Sequence, residues 1–281
     1  MSPSSELALT EQYPPAEYRG PQALERAIAE RYEHLDNGGQ DQYLSFRHVS
    51  LGDFETIESR RIHLGGKGVA FTYFGDIETL IIKVPTEAHE AAHSEFANEV
   101  LLRLRGNMRL DHGEFYQINA TKFRGGNSSS KEGDSAFRNK LIRTNHGSWP
   151  HFVIEAGYSE NLQRLRTDAR WWIENSRGQV YLVLVIWLNP STTSVKIEKW
   201  IPSQPPLARR SPCLNQSSGS MIMTAEISID QSSTTSVISG APLRLEFDKL
   251  VGRPAQRAGE GDVVFTRNDL DRWARLLWLG I

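Results

Sequence analysis

Two carboxylates in the middle of the chain stand where acidic side chains can do metal chemistry. Asp134 opens a short extended stretch after a polar loop, and Glu155 lies near the end of the apolar run HFVIEA. A strand core rarely carries an unpaired charge, because burying one is costly. Two acids at the ends of adjacent strands can converge and bind Mg²⁺ or Mn²⁺ through hard oxygen ligands. A metal held in this way lowers the pKa of a bound water and assists phosphodiester hydrolysis.

A third carboxylate, Glu99, lies on the helix that the sequence predicts before these strands, and it is a candidate to complete the metal site. By helical angle, Glu99 lies to one side of the buried face formed by Phe96 and Val100. The other two acids also have ordinary structural interpretations. Glu155 can accept hydrogen bonds at the start of the next helix, and Asp134 can be a turn residue. From the residues alone, these structural interpretations are favoured.

A second candidate metal site is the segment HEAAH at residues 89–93, which matches the HExxH pattern on a predicted helix. His89 and His93 share one helix face and can bind Zn²⁺ together, while Glu90 activates a water, as in zinc peptidases. Both histidines also fall on the face of Phe96, which is typical of packed, hydrogen-bonded helix residues. The packed interpretation is favoured over a zinc peptidase.

The bulk composition is that of an ordinary globular protein. The chain has 281 residues, of which 39% are hydrophobic and 23% are charged, enough for a sizeable core. Its net charge of −2 gives no overall electrostatic signature of nucleic-acid binding, so such a partner would need a local basic patch. Cys213 is the only cysteine, which excludes a disulfide within the chain and a cysteine-based zinc site. No secretory signal or membrane-spanning apolar run is present, so the sequence predicts an intracellular protein, cytoplasmic or nuclear.

The hydrophobic patterns predict an α/β (α+β) protein with a mixed central sheet flanked by helices, extra N-terminal strands and a β-rich C-terminal extension. Residues 43–84 predict successive strands, and the unbroken apolar run at 180–188 predicts a central strand covered on both faces. The predicted organisation is a flexible N-terminus at 1–20, a core at 21–201, a Ser- and Pro-rich linker or loop at 202–220, and C-terminal strands with a closing helix at 221–281.

The order acid, strand, apolar-apolar-Glu, capped helix and very apolar strand resembles the PD-(D/E)XK, or restriction-endonuclease-like, superfamily. A closer resemblance is to a group of uncharacterised fungal proteins assigned to that fold, across IIKVPTEAHEAAH, GDSAFR and WPHFVIEAGYSENLQRLRTDARWWIENS. It covers residues 80–200 and is most specific over 149–188. The resemblance implies a restriction-endonuclease-like core and a Mg²⁺- or Mn²⁺-dependent endonuclease that acts on nucleic acid.

By position in this resemblance, Asp134 matches the motif's Asp and Glu155 its second acid. The superfamily carries a Lys two residues after the second acid, where it orients the attacking water, but this chain has Gly157. Basic side chains are known to migrate into the site in this superfamily, and Arg166 on the next helix and Lys196 on a later strand are candidates. Other basic residues on the same two elements are Arg164, Arg170 and Lys199. Two functions stay foremost: an active metal-dependent nuclease, or a catalytically inactive nuclease fold that serves as a binding or scaffold module. A zinc peptidase at His89, Glu90 and His93 is the third and least favoured.

Overall fold

The computed structural model describes residues 1–61, 68–118, 121–158, 161–203, 220–231 and 236–279. Within them the chain forms two large mixed β-sheets and a two-stranded ribbon, with helices between and around them. The helices are α1 (Ser4–Ala8), α2 (Pro21–Asp36), α3 (Leu51–Ser59), α4 (Glu87–Leu101), α5 (Leu162–Asn175), α6 (Phe247–Val251) and α7 (Arg267–Leu279). The strands are β1 (Ala16–Glu17), β2 (Tyr43–Arg47), β3 (Ala70–Phe74), β4 (Thr79–Lys83), β5 (Tyr116–Gln117), β6 (Phe123–Arg124), β7 (Ser129–Lys131), β8 (Ser135–Arg138), β9 (Phe152–Tyr158), β10 (Leu182–Asn189), β11 (Ser194–Pro202), β12 (Met221–Asp230), β13 (Val237–Ser239), β14 (Leu243–Leu245) and β15 (Val263–Phe265).

The central sheet has seven strands in the order β13-β12-β11-β10-β9-β8-β5. β9 and β10 are parallel and are connected through α5, whereas the other neighbouring pairs are antiparallel. Because side chains alternate along a strand, β9 sends Ile154 and Ala156 toward α4 and α7, and sends Val153 toward α5. The predicted mixed sheet flanked by helices is confirmed.

The N-terminal sheet has six strands in the order β1-β2-β4-β3-β7-β6. One of its faces packs on α2 and α3 through a cluster that includes Leu24, Ile28 and Ile57. From its other face, Phe74 and Ile81 join the apolar cluster of α5 and β10. Helix α5 therefore lies between the two sheets, and side chains from β4 and β7 can reach the central sheet.

Helix α3 differs from the strands that the sequence predicts over residues 43–84. Residues 54–64 were predicted as a strand, but α3 begins at Leu51 because Ser50 and Asp53 form a capping box, in which each side chain bonds the other's backbone N–H. Helix α5 is capped by the Asn161 side chain, which accepts from the Arg164 N–H. Most of the predicted linker, residues 204–219, lies outside the described residues. Among those described, none of the helices combines the length and apolar character needed to span a bilayer.

The N-terminus differs from the loosely attached segment that its polar composition predicts. Leu7 and Ala8 are buried against α5. The Arg164 guanidinium, 3% exposed, donates hydrogen bonds of 3.1 Å to the Leu7 carbonyl and 2.5 Å to the Ala8 carbonyl. A buried cation and two buried carbonyl oxygens satisfy one another, so this segment is attached to α5.

We expect Arg164→Ala to lower the free energy of unfolding by roughly 2 kcal/mol or more, because it leaves two buried carbonyl oxygens without a donor. Denaturant titration measures the change. Arg170→Ala on the same helix is the matched control and should cost much less. Equal losses in the two variants would contradict the role assigned to Arg164.

Candidate active site

Asp134 lies at the entrance to β8, where two hydrogen-bond donors and a histidine ring nitrogen converge on one of its carboxylate oxygens. Ser135 pairs with Ile154 of β9, and continuing that antiparallel register puts Asp134 opposite Glu155. Asp134 Oδ2 accepts from the Ala156 backbone N–H at 2.7 Å. It also lies 2.6 Å from Lys83 Nζ and 3.2 Å from Nε2 of His89 on α4. Because the side chain is only 3% exposed, these contacts replace the water that a free carboxylate would bind.

Glu155 extends from β9 toward α5 and is buried, with 1% of its side chain exposed. Its Oε1 accepts from Trp172 Nε1 at 2.5 Å and lies 3.6 Å from Lys131 Nζ. Its Oε2 lies 4.0 Å from Lys83 Nζ and has no hydrogen-bond partner among the residues that the structure describes. The structure thus brings Asp134 and Glu155 together around the Lys83 ammonium.

Both lysines of this cluster come from the N-terminal sheet and not from the helix or strand that the sequence indicated. Lys83 ends β4 and Lys131 ends β7. Lys131 also pairs with Asp168 of α5 at 3.0 Å. A signal for Lys83 was present in the sequence, because TLIIKV is an apolar strand with a charge near its end, the same anomaly that pointed to Glu155.

Gly157 is where the resemblance predicts a Lys, and the packing explains why that position carries none. A Cβ at residue 157 would lie 2.9 Å from Leu165 Cδ1. Leu165 is fully buried on α5, so the close approach of α5 to β9 leaves no room for a side chain. The positive charge beside the two acids is therefore supplied by another element.

The electrostatics of the cluster push the two acids in opposite directions. Burial raises the pKa of Glu155 to about 7, although the Lys131 ammonium acts against it. Burial acts in the same upward direction on Asp134, but the charges of Lys83 and His89 hold its pKa well below the ordinary value. Burial alone would lower the pKa of Lys83, yet the two carboxylates raise it overall. At neutral pH, Asp134 is a carboxylate and Lys83 is an ammonium. Glu155 is close to the midpoint of its titration, so its protonated and ionised forms are both populated.

A cavity of about 400 Å³ opens beside Asp134. Charged and imidazole side chains supply most of its polar wall: Arg61, Lys83, His89, Glu90, His93, Glu132 and Asp134. Glu155 is not part of that wall and lies beneath it. Another cavity, of about 480 Å³, lies around Tyr181 and Arg253 and contains none of the predicted site residues. The smaller cavity is the candidate active site because Asp134, Lys83 and the two histidines of HEAAH line it.

The structure does not bring Glu99 to this cluster. Glu99 pairs with Arg103, which lies just after the end of α4, and Arg103 in turn contacts Asp269 of α7 at 3.2 Å. As its helical angle predicted, Glu99 lies to one side of the face that carries the histidines.

Arg166 and Lys196 are also not brought to the two acids. Arg166 pairs with Glu198 of β11 at 2.5 Å, and Lys196 pairs with Glu226 of β12 at 3.4 Å. Each of them is neutralised on a neighbouring element, which leaves Lys83 as the basic group beside both acids.

The HEAAH segment lies in the first two turns of α4 and faces the same cavity. The Thr86 hydroxyl caps the helix by accepting from the His89 N–H. The side chains of His89 and His93 are 3% and 9% exposed, whereas that of Glu90 is 54% exposed. Both histidines are buried, as the packed interpretation expects, and both point into the wall of the cavity.

No protein-family model matches this sequence, and no curated protein matches it. One solved structure that the fold resembles is from Anabaena variabilis ATCC 29413, described as "a putative nuclease belonging to DUF820". The TM-score is 0.40 and the sequence identity 10%, over 73% of this chain and 90% of that chain. The likeness is one of overall chain trace, and the resemblance to the fungal group stays a prediction.

We expect Gly157→Lys, which introduces the residue that the resemblance predicts, to destabilise the protein by about 1–3 kcal/mol, the usual cost of overpacking a core. The new Cβ would lie 2.9 Å from Leu165 Cδ1. Gly106→Ala is the control, since Gly106 has nothing within 4 Å of an added Cβ and should be close to neutral. Wild-type stability in Gly157→Lys, measured by denaturant unfolding, would contradict this packing.

The raised pKa of Glu155 predicts a pH dependence of stability. The pKa in the folded protein is about 7, above the ordinary value of 4.5. Between these two pH values, the folded state keeps a proton on Glu155 that the unfolded chain has released. The contribution of Glu155 to the free energy of unfolding therefore falls as the pH rises from 4.5 to about 7. We expect the wild type to lose stability relative to Glu155→Gln between these pH values, as measured by denaturant unfolding at each pH. A difference that is constant or grows in favour of the wild type would rule this out.

Proposed function

We propose that this protein is a metal-dependent nuclease-like protein that binds nucleic acid at the cavity beside Asp134 and hydrolyses phosphodiester bonds there. The observation that carries the proposal is the position of Lys83, whose ammonium lies 2.6 Å from Asp134 and 4.0 Å from Glu155. It supplies, from the N-terminal sheet, the positive charge that Gly157 lacks. The combination of two acids and one lysine is what the resemblance requires, with the lysine on a different element.

The residues that would hold Mg²⁺ or Mn²⁺ are Asp134 and Glu155. Carboxylate oxygens are the ligand type that these hard cations prefer. Glu155 Oε2 also fits, since it is a buried carboxyl oxygen without a hydrogen-bond partner among the described residues. When bound, such a cation acidifies a coordinated water and neutralises charge on the phosphate.

The side chains of the chain itself have distinct roles in this proposal. Asp134 is kept ionised and is fixed by the Ala156 N–H. Lys83 offsets the negative charge that develops on the phosphate oxygens, an effect that is strong in a buried site. Glu155 would hold the cation as a carboxylate, so metal binding would require loss of the proton that its raised pKa favours.

A second candidate function is supported by the same lysine. Lys83 Nζ donates to Asp134 Oδ2 and to the Ala156 carbonyl oxygen and also faces Glu155, so it lies among the oxygens that a divalent cation would take. An internal ammonium at that point can neutralise the acids without a metal. The protein would then be a catalytically inactive nuclease fold that binds nucleic acid as a scaffold.

The test is to incubate the full-length protein with single- and double-stranded DNA and RNA, with and without Mg²⁺ or Mn²⁺. We expect divalent-dependent cleavage that falls about 100-fold or more in Asp134→Asn and in Lys83→Met, because each removes a charge next to the reacting phosphate. Lys199→Met is the matched control. Lys199 is also 6% exposed and pairs with Glu246 at 3.0 Å, but it does not line the cavity, so cleavage should persist.

The outcomes separate the two candidate functions. Cleavage that survives both Asp134→Asn and Glu155→Gln would overturn the proposed active site. Nucleic-acid binding that does not require Mg²⁺, with no turnover of any substrate, would overturn the nuclease and favour the inactive binding module.

A further inference from the structure

The spacing of three side chains on α4 matches the ligand spacing of a small metal ion. Glu90 lies between two imidazoles, with Oε1 3.4 Å from His89 Nδ1 and Oε2 3.3 Å from His93 Nε2. Ligand atoms about 2.1 Å from a tetrahedral Zn²⁺ are roughly 3.4 Å apart. One ligand atom from each of the three residues lies within 4.8 Å of the other two. The ligand atoms of the three side chains therefore lie close enough together to be grouped around one small ion.

The hydrogen bonding of His89 is incomplete without an ion. Its ring is buried, yet neither of its nitrogens makes a hydrogen bond of suitable geometry among the described residues. The contacts of these nitrogens with Glu90 and Asp134 are short but poorly aligned. Buried polar atoms are almost always satisfied in native proteins, so a nitrogen that faces Glu90 without a hydrogen bond points to a ligand.

The outward nitrogens of the two histidines have the partners that metal-binding histidines usually have. His89 Nε2 lies 3.2 Å from Asp134 Oδ2, and His93 Nδ1 lies 3.0 Å from Ser135 Oγ. Asp134 and Ser135 are consecutive residues where the chain enters β8. The Ser135 hydroxyl on Nδ1 orients the His93 imidazole and leaves His93 Nε2 for the metal. On the His89 ring, Nδ1 is the nitrogen that faces Glu90.

We propose that His89, Glu90 and His93 form a transition-metal site of the zinc type. The three side chains line the cavity, and the 54% exposure of the Glu90 side chain gives an ion a path in from solvent. Three protein ligands at a cavity wall leave a fourth position for a water or a substrate oxygen. Two imidazoles and a carboxylate suit Zn²⁺ better than Mg²⁺, so the site differs in kind from the carboxylate pair of Asp134 and Glu155.

The arrangement also differs from the zinc peptidase that HEAAH suggests. In that pattern Glu90 would activate a water while the histidines bind the metal. Here the Glu90 carboxylate lies against a nitrogen of each histidine, which makes it a ligand.

The experiment is Zn²⁺ titration of the chelator-treated full-length protein, by calorimetry and by competition with a chromophoric chelator. We expect one Zn²⁺ per chain, with affinity reduced at least 10-fold in Glu90→Gln and in His93→Ala. Glu90→Gln is the decisive variant, because an exposed side chain is replaced and the fold should not suffer. Glu95→Gln, an exposed Glu on the same helix, is the matched control and should bind as the wild type does.

A second measurement covers the case in which His93→Ala unfolds. Zn²⁺ should raise the thermal midpoint of the wild type by mass action, and this rise should be lost in Glu90→Gln. The inference is overturned if Zn²⁺ does not saturate one site, or if Glu90→Gln and Glu95→Gln bind it equally. No nucleic acid is present in these titrations. The zinc titration and the cleavage assay are therefore independent. Zn²⁺ binding without cleavage of any nucleic acid would count only against the proposed nuclease. Mg²⁺-dependent cleavage without Zn²⁺ binding would count only against this zinc site.

Discussion

The contact between the Lys83 ammonium and the Asp134 carboxylate is the interaction on which the rest of the site depends. Both side chains are buried, with 6% and 3% exposed, and their charged atoms are 2.6 Å apart. A charge this deeply buried needs its partner, because removing one member leaves the other uncompensated. Lys83 belongs to the N-terminal sheet and Asp134 to the central sheet, so the same contact joins the two halves of the molecule. The N-terminal strands are therefore part of the site and not an appendage to it.

Helix α5 makes this charge cluster stable. It lies between the two sheets, supplies the Trp172 indole N–H to Glu155 and supplies Asp168 to Lys131. Its close approach to β9 also removes the space for a side chain at Gly157. The apolar packing of α5 thus requires both that the lysine be absent from β9 and that the acids find cations elsewhere. Because the charged residues share partners, their contributions to stability are coupled and not additive.

Asp134 connects the two metal-binding proposals. Its Oδ2 contacts Lys83 on one side and His89 on the other, so the same carboxylate neighbours the acid pair and the imidazoles of α4. An ion bound at either place changes the electrostatic environment of the other through this one residue.

Local patterns in the sequence determined much of this protein. The alternation and apolar runs predicted the central strands, the charge within an apolar run pointed to Glu155, and the strand-end position of Asp134 suggested it as the partner of Glu155. Composition failed for the N-terminal segment, since the burial of Leu7 and Ala8 depends on a distant arginine. Only the tertiary structure decided which cation reaches the acids, because Lys83 and Asp134 are 51 residues apart and on different sheets. Hydrophobic periodicity reports which face of an element is buried, but it does not report which other element covers that face.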